Sequence, residues 1–163
     1  LNWTTKASSG TLVVVGIIAI IVQGGLIGPL VKQFGEMRLT LIGSGFILVA
    51  CALLITAPKE NATINIYSAV SFLAVGAGLI TPTLRALISK KLDVDKQGSI
   101  LSNLQGLQSL GGVLGIAMAG RVYDSFGPKS PFIAGSVILL FMIYLIAEGK
   151  NNNSFNNQKS KVF

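Results

Sequence analysis

Apolar residues fill five long runs in the chain, and short polar links separate these runs. Each run is close to the ~20 residues that a helix needs to cross ~30 Å of hydrocarbon. The runs cover residues 11–31, 39–57, 64–88, 99–120 and 131–147. This pattern predicts an all-α fold, a polytopic transmembrane bundle of five spanning helices. Beyond residue 148 the sequence turns to Asn, Lys, Ser and Gln, and a disordered tail is predicted over residues 149–163 because these residues cannot bury apolar area.

The composition supports a membrane location. Of the 163 residues, 51% are hydrophobic and only 12% are charged, whereas a soluble domain carries about 25% charged residues. The chain has too little charge to cover a surface that faces water, so a soluble enzyme and a nucleic-acid-binding domain are excluded. The net charge of +7 comes from single basic residues between the runs, a pattern that sets orientation in a bilayer.

Reactive side chains are scarce. The chain has no His, and its single Cys51 lies inside an apolar run. The sequence therefore offers no zinc site, no Cys/His nucleophile pair and no internal disulfide. All acidic residues lie in links or at the ends of runs, whereas ion coupling usually needs a carboxylate or a His at membrane depth. We expect no enzyme activity, no catalytic residue, no metal and no cofactor, and we expect any ion-coupling site to lie outside this chain.

Lys and Arg are distributed unequally between the two predicted sides of the membrane. Nine lie on the side of the tail and four on the opposite side. Because cytoplasmic loops carry the excess of basic residues, the tail is predicted to be cytoplasmic and Leu1 to lie outside. The protein is then a multi-pass protein of the cell (inner or plasma) membrane. An odd number of spans that starts outside is explained best by further sequence upstream.

Polar side chains inside the membrane are concentrated on the first, third and fourth helices. In the fourth run they share an arc of about 160° at 100° per residue, and Gln108 lies outside this arc, where a packing contact is expected. A helix with such a face needs a cavity, a channel or a partner helix, and hydrogen bonding between helices is the alternative for any one residue. The residues expected to line a cavity for a small-molecule substrate are Gln23, Tyr67, Ser71, Ser102, Gln105 and Ser109. The second and fifth runs lack Asn, Gln and charge, so helices of this composition can face lipid all round.

Two glycine pairs have the four-residue spacing that lets membrane helices approach each other closely. They are Gly24 with Gly28 and Gly111 with Gly115. In the third run, Pro82 is expected to interrupt the hydrogen-bond ladder near the cytoplasmic end of the helix.

Residues 28–38, which read Gly-Pro-Leu-Val-Lys-Gln-Phe-Gly-Glu-Met-Arg, resemble the loop motif of the major facilitator superfamily. Gly28, Gly35 and Arg38 match the motif. Lys32 stands at its acidic position and Glu36 at a basic one. This is the degraded form of the motif that lies between the eighth and ninth of the twelve helices in that family.

A second stretch is similar to the tenth and eleventh helices of tetracycline-efflux-type drug:proton antiporters. It comprises residues 76–89 (Gly-Ala-Gly-Leu-Ile-Thr-Pro-Thr-Leu-Arg-Ala-Leu-Ile-Ser), residues 96–98 (Lys-Gln-Gly) and residues 104–110 (Leu-Gln-Gly-Leu-Gln-Ser-Leu). The eleventh helix of that group typically carries Gly-Pro near its middle, whereas Gly115 is followed here by Ile116. The resemblance covers residues 8–148 and maps them onto helices eight to twelve.

The resemblance implies the C-terminal half of a twelve-helix transporter, without its seventh helix and its N-terminal half. It implies a cavity lined by helices seven, eight, ten and eleven, and two halves that rock to give alternating access. The loop motif is thought to latch one conformation. Its gating-loop candidates here are Gly28, Lys32, Gly35 and Arg38. For the two basic residues, a role in topology alone stays open.

The residues and the resemblance together predict secondary active efflux of small organic, drug-like compounds, coupled to protons. A nutrient or metabolite permease of the same fold is one alternative, and a self-contained membrane channel or assembly module is another. The antiporter signature that would distinguish an exporter from such a permease belongs to the family's fifth helix, outside this chain. The expected partners are a small-molecule substrate, the lipid bilayer and the missing N-terminal half, and no nucleic acid.

Overall fold

The computed structural model describes residues 5–57, 62–90 and 94–159, with side chains for 9–57, 63–90 and 95–148. Every element in these ranges is a helix, which confirms the all-α fold. The elements are α1 (Thr5–Ile21), a π-helical turn (Val22–Leu26), α2 (Ile27–Phe34), α3 (Glu36–Thr56), α4 (Ala62–Ser89), α5 (Val94–Phe126) and α6 (Ser130–Lys159). The first three follow one another without a break, so the described chain forms five long helices.

Within the described residues, four helical stretches are long and apolar enough to cross a membrane. They are Ser9–Phe34, Glu36–Thr56, Thr63–Ser89 and Ser130–Glu148, which correspond to the first, second, third and fifth predicted spans. Helix α5 has 33 residues and is long enough, but its Gln, Asn and Ser residues lower its hydropathy. A span over residues 99–120 therefore stays a prediction.

The first span contains a π-helical turn at Val22–Leu26. The amide of Ile27 donates to the carbonyl of Val22, five residues earlier. Pro29 explains the wider turn, because its ring would clash with the carbonyl four residues before it and it has no N–H to donate. In α4 the helix continues through Pro82. The missing N–H there removes one hydrogen bond without ending the helix.

Two glycines with positive φ lie at helix ends, one between α2 and α3 and one after α5. Gly35 has φ +76° and Gly127 has φ +87°, a region that favours glycine. The predicted link over residues 32–38 is therefore reduced to Gly35 between α2 and α3, and α5 continues to Phe126. The polar residues of these links stay helical because Lys, Arg, Gln and Glu are good helix formers.

Helices α3 and α4 form the tightest contact in the described chain. A Cβ built on Gly76 would lie 2.6 Å from the carbonyl oxygen of Gly43 and 2.6 Å from Cγ1 of Ile47. Only glycine allows the two backbones to approach this closely. Toward the N-terminal end of α3, the hydroxyls of Thr40 and Thr83 lie 3.1 Å apart, and both are buried.

The composition of the second and fifth spans permits lipid on all sides, but in the structure the second span is partly covered. Helix α3 buries one stripe against its neighbours. The stripe consists of Leu39, Thr40, Gly43, Ser44, Ala50 and Cys51. Its hydroxyls are satisfied locally, since the Ser44 Oγ donates to the Thr40 carbonyl at 2.9 Å. The span of α6 has none of its residues buried among the described ones, although α6 contacts α3 and α5.

Helix α6 extends to Lys159 among the described residues, and the disordered tail predicted over residues 149–163 stays a prediction. A helix that the apolar span has already nucleated adds further residues at little cost, since each one contributes a hydrogen bond. The segment between residues 149 and 159 contains neither Pro nor a second Gly that would stop it.

Candidate functional site

A cation and two amides connect α4 to α5. The Nη2 of Arg85 donates to the Oε1 of Gln105 and, at 3.4 Å, to the Oε1 of Gln108. The two glutamines are three residues apart, so they are neighbours on one face of α5. Gln108, expected to be a packing residue, thus joins Gln105 on the same cation. Periodicity along α5 could not predict this contact, because the long side chain of Arg85 comes from another helix and reaches residues inside and outside the polar arc.

The other two predicted residues of α5 lie beside Gln105. Ser109 donates from Oγ to the Gln105 carbonyl at 3.0 Å, and Ser102 is exposed. Ser109 also lines an open groove of about 350 Å³. The groove residues are Gly106, Ser109, Leu110, Val113 and Leu114. Since they all belong to one helix, this groove is an open depression on the surface of α5.

Tyr67 of α4 and Gln23 of the first span lie where these two helices meet. A Cβ built on Gly10 would lie 2.8 Å from the Tyr67 Oη, so this ring rests against α1. The Ser71 Oγ donates to the Tyr67 carbonyl at 2.8 Å. Gln23 is exposed in the π-helical turn, and its Nε2 is 3.9 Å from a Cβ built on Gly78. The six candidates therefore form two groups. Gln23, Tyr67 and Ser71 lie where α4 meets the first span, whereas Ser102, Gln105 and Ser109 lie on α5, which contacts α4 through Arg85. A cavity common to both groups stays a prediction.

In the gating loop, the ion pair is made by Glu36, which is not among the four gating-loop candidates. The Glu36 carboxylate pairs with the Lys90 ammonium at the end of α4. It is the one ion pair among the described side chains. Lys32 and Arg38 are exposed. The signal in the sequence was the departure from the motif itself, an acid where the family has a base.

The glycines predicted to mediate close packing lie at open positions. No described atom is within 4 Å of a Cβ built on Gly24, Gly28, Gly111 or Gly115. Among the described glycines, Gly43 and Gly76 instead meet the backbone of a neighbouring helix closely, and Gly10 and Gly78 closely meet side chains of Tyr67 and Val22. A role of the four predicted glycines in helix pairing thus stays a prediction, and it concerns helix surfaces that the described residues do not cover.

Comparison with known families decides the identity of this bundle. The model of the Major Facilitator Superfamily matches residues 1–116, which is more than half of the chain. The chain belongs to the Major Facilitator Superfamily. Members of this family are multi-pass membrane transporters, in agreement with the apolar helices and with the loop motif at residues 28–38.

Curated relatives of this superfamily member are tetracycline resistance proteins. The class C protein of Escherichia coli is 27% identical over 122 residues, which cover 75% of this chain and 30% of the relative. The class H protein of Pasteurella multocida is 27% identical over 123 residues, which cover 76% of this chain and 30% of the relative. The class G protein of Vibrio anguillarum is 31% identical over 153 residues, which cover 89% of this chain and 37% of the relative. The chain thus spans about a third of the length of these relatives, and no solved structure matches it significantly.

Proposed function

We propose that the chain is the C-terminal part of a twelve-helix secondary transporter that exports small organic, drug-like compounds by alternating access. The observation that carries this proposal is the superfamily match over residues 1–116. The relatives named as tetracycline resistance proteins favour efflux of drug-like compounds over uptake of nutrients. No bond chemistry is expected of this chain, since the family moves its substrates unchanged.

The distribution of packing supports a moving cavity wall. Helices α3 and α4 are locked together by glycine contacts and a buried hydroxyl pair, so they form a rigid unit. Helix α5 is exposed over most of its length and meets α4 mainly through polar side chains. Polar contacts are exchanged at low cost when helices shift, because water or substrate can replace them. We infer that α5 faces the cavity and the N-terminal half of the transporter.

The Glu36–Lys90 pair is the proposed latch at the cytoplasmic face. It joins the turn after the first span to the end of α4, and its Lys90 side chain is 69% exposed. An exposed ion pair contributes little to stability, so it can open and close during a transport cycle. In this assignment the tail is cytoplasmic, the protein lies in the cell membrane, and protons supply the driving force through residues outside this chain.

Gln105→Leu tests the cavity assignment in the full-length product of the gene that encodes this chain. The substitution keeps the size of the side chain but removes its hydrogen-bonding groups, so substrate preference or export rate should change while membrane insertion does not. Export of a panel of fluorescent organic dyes from cells measures this, with protein levels in the membrane as reference. Thr56→Val is a matched control, because Thr56 bonds its own helix at Ala52 at the far end of α3. Identical export profiles for wild type and Gln105→Leu would contradict the cavity assignment.

A further inference from the structure

We propose that Arg85, with Gln105 and Gln108, binds an anionic group of the transported compound, so that the substrates carry a carboxylate or a similar acid. This inference rests on the proposed function and specifies its substrate class. Its observation is the convergence of one guanidinium and two amides between α4 and α5.

The positive charge of Arg85 is not neutralised within the described residues. The ion pair formed there joins Glu36 to Lys90, and both partners of Arg85 are neutral amides. Asp95, Asp124 and Glu148 lie at or near helix ends. A charged side chain in a membrane segment is costly and is normally matched by a partner or a water-filled cavity. The cluster therefore has room for one negative charge.

The position of Arg85 argues against a role in membrane orientation alone. It lies four residues before the end of the Thr63–Ser89 span, which is about 6 Å at 1.5 Å per residue. An Arg that only sets topology turns its head toward the nearer interface. Here the guanidinium instead meets Gln105 and Gln108 in α5, and Gln108 is about 21 Å along that helix from Val94. The side chain thus bridges α4 and α5, and it is exposed on a face that the described helices leave open.

The donors of the cluster suit an anion. The guanidinium has five N–H donors in a planar fork that matches the two oxygens of a carboxylate. It uses Nη2 for both glutamines, which leaves Nη1 and Nε available. Each glutamine accepts from Arg85 through its carbonyl oxygen and keeps its NH₂ group, which is a donor to the same anion. The unused guanidinium N–H groups and the two amide NH₂ groups are donors beside a positive charge, an arrangement that favours an anionic compound over a cationic one.

The test uses the full-length product of the gene, purified and reconstituted into proteoliposomes. The probes are a panel of dansyl-amino acids and the corresponding dansyl-amino acid amides, which share fluorophore and size but differ in the negative charge. Wild type and Arg85→Gln are compared, with Arg85→Lys as the variant that keeps the charge. Lys96→Gln is the matched control, since it removes an exposed cation from the first turns of α5.

We expect Arg85→Gln to lower kcat/KM for the acids by about tenfold or more, as loss of a charge-assisted hydrogen bond does. Transport of the amides should change by less than about twofold, because their contact with Arg85 is a neutral hydrogen bond. Arg85→Lys should retain part of the preference for acids, and Lys96→Gln should behave as wild type.

Three results would overturn the inference while leaving the proposed function intact. These are an equal loss of acids and amides in Arg85→Gln, an unchanged preference in that variant, and a wild type that transports the amides but not the acids. Equal loss would mean that Arg85 serves the structure, for example by pairing with a carboxylate from the rest of the transporter. A wild type that transports no probe of either kind would contradict the proposed function as well.

Discussion

The contact between Gly43 and Gly76 gives the sharpest structural prediction, since a single methyl group should disturb it. A Cβ at residue 76 would lie 2.6 Å from the Gly43 carbonyl oxygen, whereas carbon and oxygen atoms normally stay about 3.3 Å apart or more. Helices α3 and α4 would have to separate by about 0.7 Å. The obstructing atom belongs to the backbone, so no change of rotamer relieves the clash.

The expected cost of Gly76→Ala follows from this geometry. Inserting a methyl group into a well-packed contact costs about 1–3 kcal/mol, and a backbone obstacle favours the upper part of that range. The gain in helix propensity from Gly to Ala returns up to about 1 kcal/mol. The net loss is then about 1–2 kcal/mol, which corresponds to a fall of several degrees in Tm.

A series of three alanine variants separates the cost of the steric clash from the gain in helix propensity. At Gly43 the built Cβ is 2.9 Å from Cγ1 of Ile80 and 3.0 Å from the Gly76 oxygen, so Gly43→Ala should cost less than Gly76→Ala. At Gly45, on the same helix, nothing lies within 4 Å, so Gly45→Ala should be neutral or slightly stabilising.

The assay is the apparent Tm of the detergent-solubilised full-length protein, measured as the monodisperse fraction that survives heating. The predicted order of Tm is Gly45→Ala highest, then Gly43→Ala, then Gly76→Ala. If Gly76→Ala were as stable as the wild type, the close approach of α3 and α4 would be refuted.

Three further predictions concern the polar contacts and the turn. Glu36→Lys should change the export rate with little change in Tm, and adding Lys90→Glu should restore the rate; failure of the double variant to recover would contradict the latch. Gly35→Ala should lower Tm, because a non-glycine residue at φ +76° costs about 1–3 kcal/mol; an unchanged Tm would speak against this turn. In a double-mutant cycle by unfolding in mixed micelles, Thr40→Val and Thr83→Val should show a coupling energy of about 0.6 kcal/mol, and strict additivity would exclude their hydrogen bond.

The sequence alone predicts the helices well because hydropathy is a property of each segment. Four of the five predicted spans lie within a helix of the structure, and the second extends one residue past the end of α3. The loop motif at residues 28–38 indicates the family that the comparison establishes. The ends of the helices are less predictable, because charged residues such as Lys32 and Arg121 are good helix formers once the apolar span has started the helix.

The pairing of helices depends on information that one sequence does not carry. Gly24 and Gly28 have the four-residue spacing typical of helix contacts, yet the close approach occurs between Gly43 and Gly76, which lie on different helices. Spacing within a helix shows where a backbone is accessible, but the crossing of two helices decides which accessible position is used. The burial of α3 was missed for the same reason.

In the candidate site, too, the position of a residue on its own helix could be predicted, but its partner on another helix could not. Gln105 could be predicted from its place on a polar arc of one helix, but its partner could not, because Arg85 belongs to another helix and reaches across the gap between them. Likewise the Glu36–Lys90 pair joins residues 54 positions apart. Tertiary structure decides which partner a long, flexible charged side chain reaches, whereas periodicity predicts only the helix face on which its Cα lies.

Gradient-driven transport by the purified full-length protein tests the central claim most directly. Proteoliposomes that contain it, and an organic dye added outside, are given a pH gradient with the acidic side inside. A proton-coupled exporter inserted with its cytoplasmic face outward should accumulate the dye above the external concentration. A protonophore should abolish this accumulation. Dye movement that only equalises the two concentrations, with or without the gradient, would contradict a secondary active exporter and indicate a channel.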